Sequence, residues 1–458
     1  MALLIGNSLA VLVGAYELAR SGRHVTLLTD GKSLGGHFSG IYINGQGFDI
    51  GMLFFEKYHS NNSGEQRLRT YNANVRNDWI RFGDLLSNWL EVQVGPLQRG
   101  PTPDCLIEQH TVPDYLISNR LEVFTGAMMS PEIFLPKNDE RHAANKLHAV
   151  AYENISYAEA ASLNHGDALH SRFIEPFVRK LVGSTSTNFL ARYHRAVWVP
   201  LYYPETLKSA ALSEQVTLPE YPFWTTKYGF VGQLIQVLCD ELQKSPFVTL
   251  INTSLQSLKF NTGMWTAVTS DANIFFDKQL ALGLSSDRAQ YLLGTEITQT
   301  SCNFASVTLL FSLVRFDAIG LQRGCLMIVD ENYAAYRLSN QDVLAGLQTE
   351  WQRVVIESNP ERLASQYPNI SAEAALEREL RSLLSVKQDD AVRILKCVTV
   401  KNALLLPTFD TVITAKATHN AFSAAAPGAI LTANLLGYGV ASLNDQLVQG
   451  LMIAEDFS

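Results

Sequence analysis

The chain has 458 residues, of which 47% are hydrophobic and 17% charged, and a net charge of −8. That length exceeds one simple core and points to a soluble globular protein of two or three domains. The acidic balance argues against a nucleic-acid footprint or an anionic membrane surface, and no apolar run approaches membrane-spanning length. From Met1 to Gly36 the chain reads strand, turn, helix, turn, strand. Leu3-Leu4-Ile5 is the apolar run of a buried parallel strand, and Gly6-Asn7-Ser8 is a tight turn. Val11 to Arg20 is a good helix former that stops at Gly22, and Val25 to Thr29 is the next strand. Such a unit sets a helix N-terminus at the carboxyl end of a strand, where backbone N–H groups and the helix dipole suit a diphosphate.

A dinucleotide-binding turn of this kind reads G-x-G-x-x-G, with an acidic residue about twenty positions on. Here Gly6 holds the first position, Ser8 the second and Val11 the third, while Thr29 stands at the acidic position with Asp30 beside it. Ser8 adds a Cβ where backbone would approach a phosphate, but also a hydroxyl able to donate to it. Val11 is expected to push the helix outward, with Gly14 one turn later relieving the crowding. Thr29 accepts a hydrogen bond without supplying charge. On this motif alone a dinucleotide site and a plain structural βαβ unit are evenly matched.

Lys32-Ser33-Leu34-Gly35-Gly36-His37 follows, then Gly47-Phe48-Asp49-Ile50-Gly51. With these residues the chain resembles the flavoprotein family of amine oxidases, protoporphyrinogen oxidases and UDP-galactopyranose mutases. The shared features are a glycine-rich strand–helix turn, a Gly-Gly pair and a G-x-x-F-D-x-G strand. The resemblance implies an α/β fold: a Rossmann-like FAD-binding domain, a helical insertion and an antiparallel-sheet substrate domain. It implies FAD as cofactor, with Gly35 and Gly36 against the diphosphate and ribityl chain. Gly6, Ser8, Thr29, Asp30 and Lys32 stand on the nucleotide side, and His37 is the best polar candidate near the ring. Met52-Leu53-Phe54-Phe55 departs from the proline and histidine that the mutases often carry there.

Residues 57–75 are polar and read as a loop, either a lid or an idle surface segment. Apolar spacing predicts helices over Asp114–Phe124 and Ser156–Val182, within a mainly helical segment at 95–220. Phe173 to Gly183 resembles a stretch of the family's substrate domain. Arg192, His194 and Arg195, then Trp198, Pro200, Tyr202 and Tyr203, suit an anionic substrate through forked hydrogen bonds and stacking. Solvated helix charges and core aromatics are the competing reading, favoured for any single one of them. Tyr221 to Phe230, the helix Val231–Lys244 and the strand Val248–Ile251 resemble the family's return to the FAD domain, with Tyr228 at its first turn glycine. Leu255 stands where the family's chain passes the adenine. Trp265–Thr269 and Phe275–Leu284 are two further strands.

Residues 300–340 alternate as an antiparallel sheet, with strands at Ser306–Phe311 and Cys325–Val329. Tyr336-Arg337 resembles a family strand that supplies an arginine to the substrate pocket; a rim salt bridge is the alternative. Gln341–Leu384 reads as charged helix, broken near Asn359-Pro360 and Tyr367-Pro368, and Val392–Ala403 as a strand. At the C-terminus a strand ends at Asn434, where the family carries an acidic residue. A glycine loop from Gly437 then opens the last helix past Ser442 and Leu443 to about Asp456. In the family that helix points at the flavin, which makes Asn434, Ser442 and Leu443 cofactor-side candidates.

The expected domains are residues 1–94, 221–299 and 401–458 for FAD, 95–220 for the helical insertion and 300–400 for the substrate sheet. The expected function is an FAD-dependent oxidoreductase that passes a hydride from a small-molecule substrate to flavin. His37, Tyr228, Tyr336 and Arg337 are its catalytic candidates, and Arg195 and Arg337 its substrate-binding ones. One alternative is a mutase-like reaction on a nucleotide sugar. Four altered cofactor positions (Ser8, Val11, Thr29, Asn434) motivate another: FAD affinity is weakened or lost, and a flavin-free chain serves as a partner subunit for another protein. Cys105, Cys239, Cys302, Cys325 and Cys397 are scattered without zinc spacing, so no metal is expected. Reduced thiols and the lack of a signal-peptide pattern at the N-terminus make the cytoplasm the expected compartment. Nothing in the sequence sets the oligomeric state.

Overall fold

Five short strands from three distant stretches of chain form one parallel sheet. The computed structural model describes residues 1–31, 33–56, 73–101, 103–107, 109–112, 152, 154–197, 199, 223–295, 303–432 and 442–458, at a few positions by backbone alone. β1 (Ala2–Gly6) is buried throughout its length and pairs in parallel with β2 (Val25–Thr29) and β14 (Leu280–Gly283). β10 (Val248–Asn252) and β20 (Ile430–Leu431) complete the order β10-β2-β1-β14-β20. Side chains alternate across this sheet, as the period of two requires. Ala2 and Leu4 join one core with α1 (Leu9–Arg20), α2 (Ala73–Val94), α5 (Gly232–Lys244) and α11 (Leu443–Asp456). Leu3 and Ile5 join another, beneath the antiparallel sheet of β11 (Leu255–Asn261), β12 (Met264–Thr269) and β13 (Ile274–Asp277). α6 (Ser286–Leu293) and α10 (Phe409–Ala425) close that side.

The first and last helices cross through glycines. A Cβ on Gly450 would lie 2.5 Å from Val13 Cβ, and one on Gly14 would lie 2.9 Å from Ile453 Cγ2. The N- and C-terminal segments are thereby locked together in one layer.

The second large unit is a seven-stranded sheet. Its order is β19 (Val392–Leu406), β15 (Asn303–Arg315), β18 (Trp351–Ser358), β17 (Ala335–Asn340), β16 (Cys325–Ile328), β7 (Asp104–Ile107) and β8 (His110–Val112). All pairs are antiparallel except β16 with β7. α8 (Pro360–Gln366) and α9 (Ala372–Leu383) cover one face. α3 (Tyr157–Leu169) and α4 (Glu175–Val182), joined by a π turn at His170–Ile174, pack on the other. Lys180 fastens α4 to this sheet: it is buried and donates to the carbonyls of Ile328 (2.9 Å) and Asp330 (2.6 Å). Two ribbons lie between the units: β3 (Ile41–Ile43) with β4 (Gln46–Phe48), and β5 (Phe55–Glu56) with β9 (Phe223–Thr225) and β6 (Gln98–Arg99).

The structure departs from the sequence reading at several elements: Phe275–Leu284, expected as one strand, divides into β13 and β14 in different sheets, and α6 was not anticipated. β18 replaces part of the helix expected over Gln341–Leu384, of which a short α7 (Gln341–Leu344) remains ahead of it. Residues 98–112, in a segment expected to be mainly helical, form β6, β7 and β8. α10 was not anticipated in the crossing after Pro407. The expected helix at Asp114–Phe124 and most of the loop at 57–75 lie outside the described residues. No helix among the described residues is long and apolar enough to cross a membrane.

Candidate functional site

β1 delivers the chain to the start of α1 through Gly6, at φ +115, where a Cβ would lie 2.4 Å from the carbonyl oxygen of Gly283. Ser8 is the extended N-cap: its Oγ accepts from the Val11 N–H at 3.3 Å and lies 3.2 Å from Thr432 Oγ1. The Leu9 N–H donates to Gln446 Oε1, reaching across from α11, at 3.1 Å. Val11 is fully buried, and the glycine that accommodates it is Gly283 on the neighbouring strand, not Gly14. A Cβ on Gly283 would stand 2.7 Å from Val11 Cγ2 and 2.2 Å from Ser8 Oγ. Gly14 instead serves the crossing with α11.

At the end of β2, Thr29 is buried and its carbonyl accepts from the Thr253 N–H at 2.6 Å. Asp30 faces the turn, where Asn7 Nδ2 donates to its carboxylate. Asn7 Oδ1 is buried and has no hydrogen-bond partner among the described residues.

The Gly-Gly pair divides its work. Gly35 is left-handed (φ +81), and a Cβ there would lie 2.6 Å from Ile235 Cγ2 on α5. Gly36 is also left-handed (φ +61), but it is exposed and nothing stands within 4 Å of a Cβ. His37 follows in a single 3₁₀ turn, its ring centroid 3.9 Å from that of Phe38. The imidazole is exposed to solvent on one side and packed against Phe38 on the other. Desolvation pushes its pKa down to about 4, so the ring is neutral at physiological pH.

The Phe-Asp-x-Gly segment is an anchor. Asp49, 3% exposed, accepts from the N–H groups of Val231 (3.1 Å) and Gly232 (3.2 Å) at the start of α5. Burial pushes its carboxyl up to about 7, against the pull of those two amides and Arg353. Gln341 bridges the Asp49 N–H and the Gly229 carbonyl.

Two residues later, Gly51 (φ +82) rests on an ion pair: a Cβ would be 3.1 Å from both Arg337 Nη2 and Glu357 Oε2. A β-bulge sets two residues of β17 opposite Glu357. Arg337 therefore meets the carboxylate as a fork (2.6 and 2.7 Å), and the Tyr336 hydroxyl donates to the same carboxylate at 3.2 Å. Arg337 and Glu357 are both buried. Met52 Sδ accepts from Cys325 Sγ at 3.1 Å beside this cluster.

The remaining candidates are dispersed. Tyr228 is exposed on its turn, its carbonyl held by Arg353 and the Lys227 ammonium 4.9 Å from its ring centroid. Leu255 opens β11, buried, with its carbonyl accepting from Arg288 at 2.7 Å. Ser442 caps α11 in a reciprocal box with Asp445, and Leu443 is buried behind it. Arg195 belongs to the 3₁₀ segment Ala191–Val197, but its side chain lies outside the described residues, as do Lys32 and Asn434. A groove of about 570 Å³ beside Val182, Asn303, Asn359 and Asp410 involves none of the candidates.

Sequence reasoning missed Gln446, Thr432, Gly283 and Glu357. The available signal for Gln446 was its place among Leu443, Leu447, Val448 and Leu451, on a helix too apolar to leave a glutamine there idle.

No protein-family model matches the chain, and no curated protein matches its sequence. Its fold is similar to that of reduced UDP-galactopyranose mutase, with a TM-score of 0.65, 12% identity, and coverage of 99% of this chain and 92% of that one. A candidate protoporphyrinogen oxidase from Exiguobacterium gives 0.65 and 16%, over 100% and 98%. Cyclohexylamine oxidase from Brevibacterium oxydans gives 0.61 and 12%, over 100% and 99%. At such identities the likeness is one of fold, and it extends over essentially the whole chain: a Rossmann-like parallel-sheet unit joined to an antiparallel sheet, as in these flavoproteins.

Proposed function

We propose that this chain is an FAD-dependent oxidoreductase acting by hydride transfer on a small-molecule substrate. The observation that carries the reading is the turn at Gly36-His37. Gly36 is left-handed, exposed and open where a side chain would stand, and beside it is an exposed, neutral imidazole. That turn fits a cofactor path, and Asn7 Oδ1 is a buried acceptor still to be matched next to Gly6. Asp30, held by Asn7 at the end of β2, would take ribose hydroxyls in place of Thr29. A flavin bound there supplies the two-electron chemistry.

The chain's own residues position and tune. His37 offers a neutral hydrogen-bonding edge, because its desolvation disfavours the cation. Glu357 holds Arg337 and the Tyr336 hydroxyl as a fixed floor under Gly51 and Met52. That pairing favours an oxidase-type reaction over the mutase-like alternative, since Arg337 has its charge met by a carboxylate and is not free for an anionic nucleotide sugar.

A second reading, a flavin-free partner subunit, is favoured by the start of α1, where two N–H groups are already satisfied by Gln446 and Ser8. Titration of the purified protein with FAD, followed by flavin fluorescence, separates the two. The enzyme reading expects saturable quenching that Gly36→Val abolishes while the circular dichroism spectrum stays unchanged. No saturable change in the parent protein would leave the partner-subunit reading standing.

A further inference from the structure

We infer that the Gln446 side chain is the internal ligand of the α1 N-terminus and competes there with the diphosphate of FAD; this rests on the flavin reading above. The N–H groups at the start of a helix lack intrahelical acceptors, and they are what such a terminus offers to a phosphate. In this chain the Leu9 N–H is directed at Gln446 Oε1 (3.1 Å) and the Val11 N–H at Ser8 Oγ (3.3 Å). Ser8 is held in turn against Thr432 at 3.2 Å. A carbonyl oxygen from the last helix thus stands as the acceptor at the first helix, in the role a phosphate oxygen would take.

The arrangement is built rather than casual. Gln446 is only 7% exposed, on the first turn of α11. The backbone that carries it is packed closely on α1: a Cβ on Gly450 would lie 2.8 Å from the Ala10 carbonyl oxygen. The glutamine side chain, with three rotatable bonds, is what an incoming diphosphate would have to turn aside. Its amide is a neutral acceptor, weaker than a phosphate anion at the same donors, so diphosphate binding is an exchange and not a steric impossibility. The amide thereby compensates for the missing second glycine: it satisfies the helix when no anion is present, and it lowers the affinity for the nucleotide.

The test compares the full-length protein with Gln446→Ala and Gln446→Glu, with FAD and inorganic pyrophosphate as separate probes and thermal melts read alongside. Gln446→Ala is expected to bind both probes at least tenfold more tightly than the parent. Gln446→Glu keeps an acceptor for the Leu9 N–H, so its melt is expected to match the parent or exceed it, yet its carboxylate repels both probes and binding weakens. A role in stability alone would change the melts and leave both affinities unmoved. Equal or weaker binding of both probes by Gln446→Ala would overturn the inference even if FAD binds. Tighter pyrophosphate binding by Gln446→Ala with no FAD binding in any variant would uphold the inference and remove the flavin reading.

Discussion

Gly35, Gly36 and Gly51 share a left-handed φ, but what a side chain would meet differs at each, and that difference separates structure from function. At Gly35 it would strike Ile235, and at Gly51 the Arg337–Glu357 pair, so both positions are demanded by packing. Gly51→Ala is expected to lower stability by about 1–3 kcal/mol, combining backbone strain with pressure on the ion pair, as urea denaturation would read. At Gly36 the space is open, so a substitution costs mainly backbone strain; Gly36→Ala is expected to fold and retain part of its flavin affinity, whereas the branched Gly36→Val loses it. The Gly-Gly pair was legible in the sequence because two adjacent glycines ahead of an F-D-x-G strand are unusual. The split between them was not, because it depends on Ile235, about two hundred residues away along the chain. The same holds for Ser8 and Val11. Each departs from a glycine pattern locally, and each is accommodated by Gly283, which no local window connects to them.

At the scale of elements, the Phe-Asp-x-Gly strand acts through a cap. Asp49 fixes the start of α5, and burial holds its carboxyl at about 7, above the ordinary 3.8. Between those pH values the folded chain keeps a proton that the unfolded chain has released. The stability this group contributes is therefore fully present below about pH 3.8 and lost as pH rises through about 7. His37, lowered from 6.5 to about 4, works in the opposite direction: its contribution is present above 6.5 and lost as pH falls through about 4. Asp49→Asn is expected to remove the downward component, so that stability between pH 4 and 7 rises with pH more steeply, or falls less, than in the parent. An unchanged pH profile would count against a protonated Asp49.

The β17–β18 pair carries the second element-scale expectation. Glu357→Gln strands a buried guanidinium and should cost about 3–5 kcal/mol, while the double replacement Arg337→Met with Glu357→Leu should cost much less than the sum of the two single ones. β18 also explains a misreading. Trp-Gln-Arg-Val-Val-Ile-Glu-Ser carries polar residues that look solvated in sequence, yet Gln352 and Glu357 are buried and answered by Asn340 and Arg337 across the ladder. A polar residue satisfied by a partner on another strand is indistinguishable, in sequence, from one satisfied by water.

For the whole molecule, the organising fact is that both ends of the chain and a middle stretch build one parallel sheet, with α1 and α11 in close contact on its face. The element order at both ends made this legible: an apolar strand, glycine turn and helix at the start, and a strand, glycine loop and helix at the end. The layering of the seven-stranded sheet was less so, because β7 joins it from a segment more than two hundred residues before β16's partner strand β17. The contact between the two terminal helices has a consequence for the molecule as a unit: Gly450→Val is expected to destabilise the fold by about 2–4 kcal/mol through overpacking against Val13, measurable as a lowered melting temperature. The same contact brings Gln446 to the start of α1, where its amide oxygen accepts from the Leu9 N–H. The measurement that tests the central claim most directly is the FAD titration of the intact protein with flavin fluorescence and visible absorbance read together. The account predicts saturable binding with one flavin per chain, shifted flavin bands, and loss of both in Gly36→Val. An intact, folded protein that leaves the flavin spectrum unchanged at every concentration would contradict it.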